Sequence, residues 1–88
     1  MPDLIPLLQA LVRIPSVNPS SAAPGEPAGE GALGDFLEQC LRDLGLRPVR
    51  QATGVPGREN VLAVYPGAGG PALMLEAHLD TVSGAGMT

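Results

Sequence analysis

The stretch Pro71–Val82, PALMLEAHLDTV, sets the terms on which this chain can fold. It opens with Ala72, Leu73, Met74, Leu75 and Ala77, a run that is apolar apart from Glu76. A short apolar run bounded by turn residues reads as a strand buried on both faces, at the centre of a sheet. Such a strand demands neighbours on its edges and helices over its faces, so the other elements must be sought around it. The stretch ends in His78-Leu79-Asp80-Thr81 and carries the only histidine of the chain. Side chains two apart on an extended segment point to the same side. His78 and Asp80 can therefore present a nitrogen and a carboxylate to one small volume.

The elements available to surround it follow from periodicity and punctuation. Leu4, Leu7, Leu8, Leu11 and Val12 fall at helical spacing, which predicts a helix over 3–13. Asp3 is placed to cap it, Pro6 is tolerated in the first turn, and Pro15 ends it. Leu33, Phe36, Leu37, Cys40, Leu41 and Leu44 form one apolar stripe over 30–44, with Gly45 as the stop. Cys40 lies on that stripe and reads as a buried small hydrophobe, not as a nucleophile. Three strands are predicted, at about 47–52, 60–65 and 72–77. Pro48 suits an edge position for the first. Residues 53–59, TGVPGRE, read as a turn-rich connector, and PGAGGP at 66–71 as a tight loop.

The segment Ser16–Gly29, SVNPSSAAPGEPAG, has no period and reads as a loop. A loop of that length in a small domain is often functional or mobile, although a plain exposed connector describes any one of its residues better. Twelve glycines and ten prolines make up a quarter of the 88 residues. That density approaches the range of disordered chains, but a hydrophobic content of 44% and the clear periodicities favour a globular piece with long loops.

Charge excludes several partners. The net charge is −4, and the five basic residues are arginines scattered at 13, 42, 47, 50 and 58. With one Phe and one Tyr for stacking, neither a nucleic acid nor a membrane surface fits. Cys40 is the single cysteine, so no intramolecular disulfide can form, which suits a reducing compartment. The N-terminus has no basic region, carries Asp3 early and contains Pro6, unlike a signal peptide. No run reaches the roughly 20 apolar residues of a membrane helix. The expected location is the cytoplasm.

Among candidate sites, the loop Gly67–Gly70 lacks any phosphate-binding pattern and is followed by a strand, not a helix, so it reads as a turn. Ser83 within Ser83-Gly84-Ala85-Gly86 lacks the flanking pattern of a nucleophile elbow and has no second histidine as its base. Glu76 is two residues from His78 and could add a further acid, but a place at a sheet margin or in an ion pair describes it better. His78 with Asp80 stands apart. The pair sits where the central strand emerges at its C-terminal end, the usual place of ligand sites in open α/β sheets. A neutral imidazole is a common zinc ligand, and a nearby carboxylate can fix its orientation and basicity.

Four pieces in order resemble the N-terminal part of the M20 family of metallopeptidases, a group of aminoacylase-like, acetylornithine-deacetylase-like, succinyl-diaminopimelate-desuccinylase-like and carboxypeptidase-like hydrolases. Leu11–Pro19 looks like the family's opening helix and turn, Glu30–Gly45 like its second helix, and Gly57–Val61 like its approach to the second strand. Leu73–Val82, with the core His78-Leu79-Asp80-Thr81-Val82, looks like its most specific signature. The resemblance implies that His78 is a ligand of one of two zinc ions, with cobalt or manganese as possible substitutes. It implies that Asp80 is the active-site carboxylate that positions and tunes that histidine. The family chemistry it implies is amide-bond hydrolysis in N-acyl amino acids or small peptides, with a glutamate as general base. A bridging aspartate, a pair of glutamates and a dimerisation domain belong to the family pattern and have no match up to Thr88. The resemblance therefore implies that 1–88 is the incomplete N-terminal part of a catalytic domain, inactive alone, whose full-length form is a homodimer.

The architecture expected is α/β: two helices packed on a mixed sheet, the start of a zinc-peptidase-like catalytic domain. The alternatives are a non-catalytic α/β interaction module and a truncated remnant without activity.

Overall fold

A computed structural model describes residues 3–85, and its element order is α1 (Leu4–Arg13), α2 (Gly31–Asp43), β1 (Val49–Val55) and β2 (Arg58–Leu62). The class is α/β, as the periodicities predict, but the sheet is a two-stranded antiparallel hairpin and not a three-stranded mixed sheet.

Helix α1 ends where proline requires. Ile14 is already extended (φ −85°, ψ 117°), the conformation that Pro15 imposes on its predecessor. Asp3 stands at the N-cap, yet its side chain makes no capping hydrogen bond; its carbonyl accepts from the Leu7 N–H at 3.2 Å. The helix buries no residue, and Leu4, Ile5, Leu8 and Val12 are exposed. Packing of both helices on the sheet therefore holds for α2 alone.

Helix α2 closes with a Schellman motif. The Gly45 N–H donates to the Arg42 carbonyl at 2.9 Å and the Leu46 N–H to the Leu41 carbonyl at 3.0 Å. Gly45 has φ +85°, a conformation that costs any residue with a Cβ, so its choice as the stop is physical. The apolar stripe of α2 faces β2, with Leu33 and Gly34 buried and Phe36, Leu37, Cys40 and Leu41 half-buried. Cys40 is a free thiol on that stripe, less enclosed than its sequence setting predicts. Arg50 of β1 reaches over Gly34 and pairs with Asp35 at 2.9 Å, Glu38 at 3.6 Å and Glu59 at 3.6 Å. A Cβ at position 34 would lie 2.9 Å from its guanidinium, so the glycine makes room for the clamp.

The hairpin is tighter than the sequence suggests. Its register pairs Val49 with Leu62, Arg50 with Val61, Gln51 with Asn60, Ala52 with Glu59 and Val55 with Arg58. Thr53–Glu59, read as a connector, is mostly strand, and only Pro56 and Gly57 turn the chain. Gly57, at φ +76°, supplies the positive φ that the turn needs. Thr53 and Gly54 are absorbed as an irregularity between Ala52 and Val55. Residues 63–65 fall outside the strand.

The segment 72–77 forms no strand. A strand exists only as one partner of a ladder, and no described residue pairs with it. Leu73, Met74 and Leu75 are 86%, 80% and 87% exposed, so the apolar run contributes nothing to the core seen here. The core is correspondingly thin: Val17 and Leu33 are its buried hydrophobic residues. The radius of gyration is 15.0 Å, against about 12 Å for a close-packed domain of this length. No helix among the described residues is long and apolar enough to cross a membrane.

Candidate functional site

The loop that sequence periodicity left blank contributes two buried residues. Ser16 is 5% and Val17 9% exposed. The loop is held from two sides. The Thr81 N–H donates to the Ser16 carbonyl at 2.9 Å and the Asn18 N–H to the Thr81 carbonyl at 2.8 Å, an isolated parallel bridge between Val17 and Thr81. The Gly29 N–H donates to the Val17 carbonyl at 2.7 Å and closes the far end of the loop. Ser21 Oγ accepts from the Ser83 N–H at 2.9 Å. Loop 16–29 thus docks on 81–83, and this docking gives the His78–Asp80 stretch its fixed surroundings.

Alternation along an extended chain predicts that His78 and Asp80 share a side, and the structure brings them together. His78 Nδ1 lies 2.8 Å from the Asp80 carbonyl oxygen and 3.2 Å from Asp80 Oδ1. Both partners are acceptors when the carboxylate is ionised, so Nδ1 must carry the proton. In the neutral ring Nε2 then holds the lone pair. The imidazole is 85% exposed, while the Asp80 side chain is 28% exposed. One nitrogen is turned inward on a carboxylate and the other is offered to solvent.

Asp80 is itself held. Asn18 Nδ2 donates to Asp80 Oδ2 at 2.7 Å. The orientation of that amide follows from its other contacts: Asn18 Oδ1 accepts from the Ser20 N–H at 2.9 Å and from Ser20 Oγ at 2.7 Å. A backbone N–H can only donate, so the oxygen of Asn18 faces Ser20 and the nitrogen faces Asp80. Arg58 Nη2 stands 4.0 Å from Asp80 Oδ2, and Arg58 Nε donates to Glu30 Oε1 at 2.8 Å. The Asn18 amide holds the Asp80 carboxyl below its ordinary range; burial opposes this, and the His78 contact adds to the lowering. The Glu30 carboxylate raises Arg58 above its ordinary value. Asp80 is therefore an anion at neutral pH, oriented by an amide and faced by a guanidinium.

Residue types test what this set can hold. A metal-ligating histidine commonly donates its second ring N–H to a carboxylate or carbonyl. His78 does both through Nδ1, leaving Nε2 as the donor atom. A catalytic zinc takes about three protein ligands. Among the described residues no group of three His, Cys, Asp or Glu side chains could share an ion. The described residues thus fit one metal ligand with its orienting carboxylate and do not make a complete centre. Glu76 is exposed and makes no salt bridge among the described residues, so it joins neither the pair nor an arginine. Ser83 Oγ accepts from the Ala85 N–H at 3.0 Å, which makes it a turn residue; Gly86 lies outside the described residues. In the loop 67–70, Gly69 and Gly70 adopt positive φ of +102° and +88°, the backbone of a turn.

Sequence reasoning missed Asn18, Arg58 and Glu30. Asn18-Pro19-Ser20 carries a local signal, since Asn side chains favour such turns, but nothing in the sequence links it to Asp80.

Comparison with known proteins finds relatives over most of the chain. Over 82 residues, 92% of its length, the chain is 34% identical to carboxypeptidase G2 of Pseudomonas sp. (strain RS-16), covering 18% of that protein. It is 38% identical over 84 residues to the succinyl-diaminopimelate desuccinylase of Methylobacterium sp. (strain 4-46), covering 92% of this chain and 19% of that one. It is 37% identical over 82 residues to the same enzyme of Rhodopseudomonas palustris (strain BisB5), with 91% and 19% covered. The chain is related in sequence to the M20 family. It spans about a fifth of the length of these M20 relatives. No protein-family profile and no solved structure matches it.

Proposed function

We propose that this chain is the N-terminal part of the catalytic domain of an M20-type metal-dependent hydrolase, acting on amide bonds of N-acyl amino acids or small peptides. The relatives' names support the reaction class, since a carboxypeptidase and a desuccinylase both cleave an amide bond. The single observation that carries the site is the His78–Asp80 contact, which sets Nδ1 against the Asp80 carbonyl and carboxylate oxygens. In this reading His78 Nε2 is a ligand to a divalent ion, zinc in the first instance, with cobalt or manganese as alternatives. Asp80 fixes the ring's tautomer and direction and adds negative charge behind it, which strengthens Nε2 as a donor. When bound, paired metal ions lower the pKa of water and stabilise developing negative charge on an amide oxygen. The general base and the remaining ligands are not supplied by the described residues.

Two measurements test the reading. Calorimetric titration of the chain with zinc alone should show weak binding that disappears in His78→Ala. Binding that survives the substitution would remove His78 from the site. Assays on N-succinyl and other N-acyl amino acids, with zinc or cobalt added, should show no turnover by the 88-residue chain. Robust metal-dependent turnover would contradict the claim that further ligands are needed.

A further inference from the structure

We propose that 72–77 is a docking strand for a second copy of this chain: it seats in that copy's apolar groove at the open end of the hairpin, with Glu76 on Arg47. The inference is independent of the metal reading of His78. It starts from area. The 88-residue chain exposes 6989 Å², against about 4,800 Å² for a compact monomer of this size. The surplus of roughly 2,000 Å² is more than twice the area of about 800 Å² that each partner of a standard-sized interface buries.

Two parts of that surplus are complementary. One is the segment 72–77, in which Leu73, Met74 and Leu75 are exposed and Glu76 is the single charge. It makes no backbone–backbone hydrogen bond among the described residues. The other is a groove of about 280 Å³ where the hairpin opens, walled by Leu46, Val49, Leu62, Val64 and Pro66, with Arg47 as its one charge. Arg47 and Glu76 make no salt bridge among the described residues. An apolar run with one anion thus matches an apolar groove with one cation. The sheet has only two strands, so its outer edges can accept an added strand through main-chain hydrogen bonds. Helix α1 also exposes Leu4, Ile5, Leu8 and Val12, but that face carries no charge to match a partner.

The segment does not occupy the groove of its own chain. None of its residues lines that groove, and beyond Glu76 the chain is tied at Thr81 to Val17. A second copy reaches the groove without disturbing that tie. It does so reciprocally: Arg47 of each copy meets Glu76 of the other about a two-fold axis, which closes the pair.

Light scattering on the 88-residue chain, from dilute to concentrated samples, tests this. The mass should rise from that of one chain to that of two and stop there. Met74→Glu places a charge in the apolar run at an exposed position, so the fold should stay and the dimer should be lost. Glu76→Arg should weaken association about tenfold, because two surface ion pairs become like-charge contacts. Adding Arg47→Glu to it should restore the wild-type affinity, and Leu4→Glu on α1 should change nothing. A monomer at every concentration would overturn the proposal, since 72–77 would then close on its own chain or stay uncovered. Growth beyond two copies would overturn it too, as would a double variant no better than Glu76→Arg, or a dimer lost in Leu4→Glu and kept in Met74→Glu. Isotope-filtered NMR on mixed labelled and unlabelled wild-type chain needs no variant to fold. Methyls of Leu73 and Leu75 should contact Val49, Leu62 and Val64 of the other copy; contacts confined to one chain would refute the exchange.

Discussion

Leu33 and Leu75 are chemically identical and occupy opposite extremes of this structure, so truncating each to alanine measures where the core lies. Leu33 is 6% exposed on the buried stripe of α2, and Leu75 is 87% exposed in 72–77. Leu→Ala removes three carbons, and at about 0.8 kcal/mol per buried methylene the transfer term is about 2.4 kcal/mol for full burial. Leu33→Ala should cost nearly all of it. The added cavity penalty should be small, because half-buried Phe36 and Leu37 can relax into the space. Leu75→Ala should cost about 0.3 kcal/mol, the same term scaled to the small buried share. At roughly 0.05 kcal/mol per residue a thin-cored chain of this size has ~4 kcal/mol to lose, so the first substitution removes more than half its stability. Urea unfolding followed by far-ultraviolet circular dichroism, with the slope unchanged, reads both values. Equal losses for the two variants would refute the reasoning. They would mean that 72–77 is a buried strand after all, as its composition suggests.

Two further outcomes follow from the ion pairs and the loop. Arg50→Lys keeps the charge but loses the planar fork that reaches Asp35, Glu38 and Glu59 together, so it should cost up to about 1 kcal/mol at low ionic strength and less in high salt; a salt-independent loss would point to packing instead. The Ser83 hydroxyl and the Ala23 N–H hold the Glu26 carboxyl below its ordinary range. Because the folded pKa is the lower one, this link stabilises fully above the unfolded value and fades as pH falls through the folded one. A carboxyl-carbon NMR titration should place the Glu26 midpoint below that of an unperturbed glutamate, and Ser83→Ala should move it up; no movement would remove Ser83 as the main cause.

Local patterns made the helices legible. The 3.6-residue stripe of α2 and the proline after Ile14 each act within a few residues, and the structure follows them to within one residue at the ends. The hairpin was legible only in part, because Thr53 and Gly54 carry turn composition yet are taken up as a strand irregularity. The failure at 72–77 has a different cause. Apolarity belongs to a segment, but being a strand is a relation to a neighbour, and no described neighbour pairs with it. The site divides in the same way. His78 and Asp80 are two residues apart, and period-two geometry placed them together. Asn18 meets Asp80 across 62 residues and Arg58 meets Glu30 across 28, contacts that no local spacing encodes.

The central claim is that His78 turns Nδ1 inward on Asp80 and presents Nε2 as a metal ligand. Nitrogen-resolved NMR of the single imidazole during titration with zinc tests it directly. Nε2 should shift or broaden while Nδ1 keeps its proton. Zinc engaging Nδ1, or leaving both nitrogens unmoved, would contradict the claim.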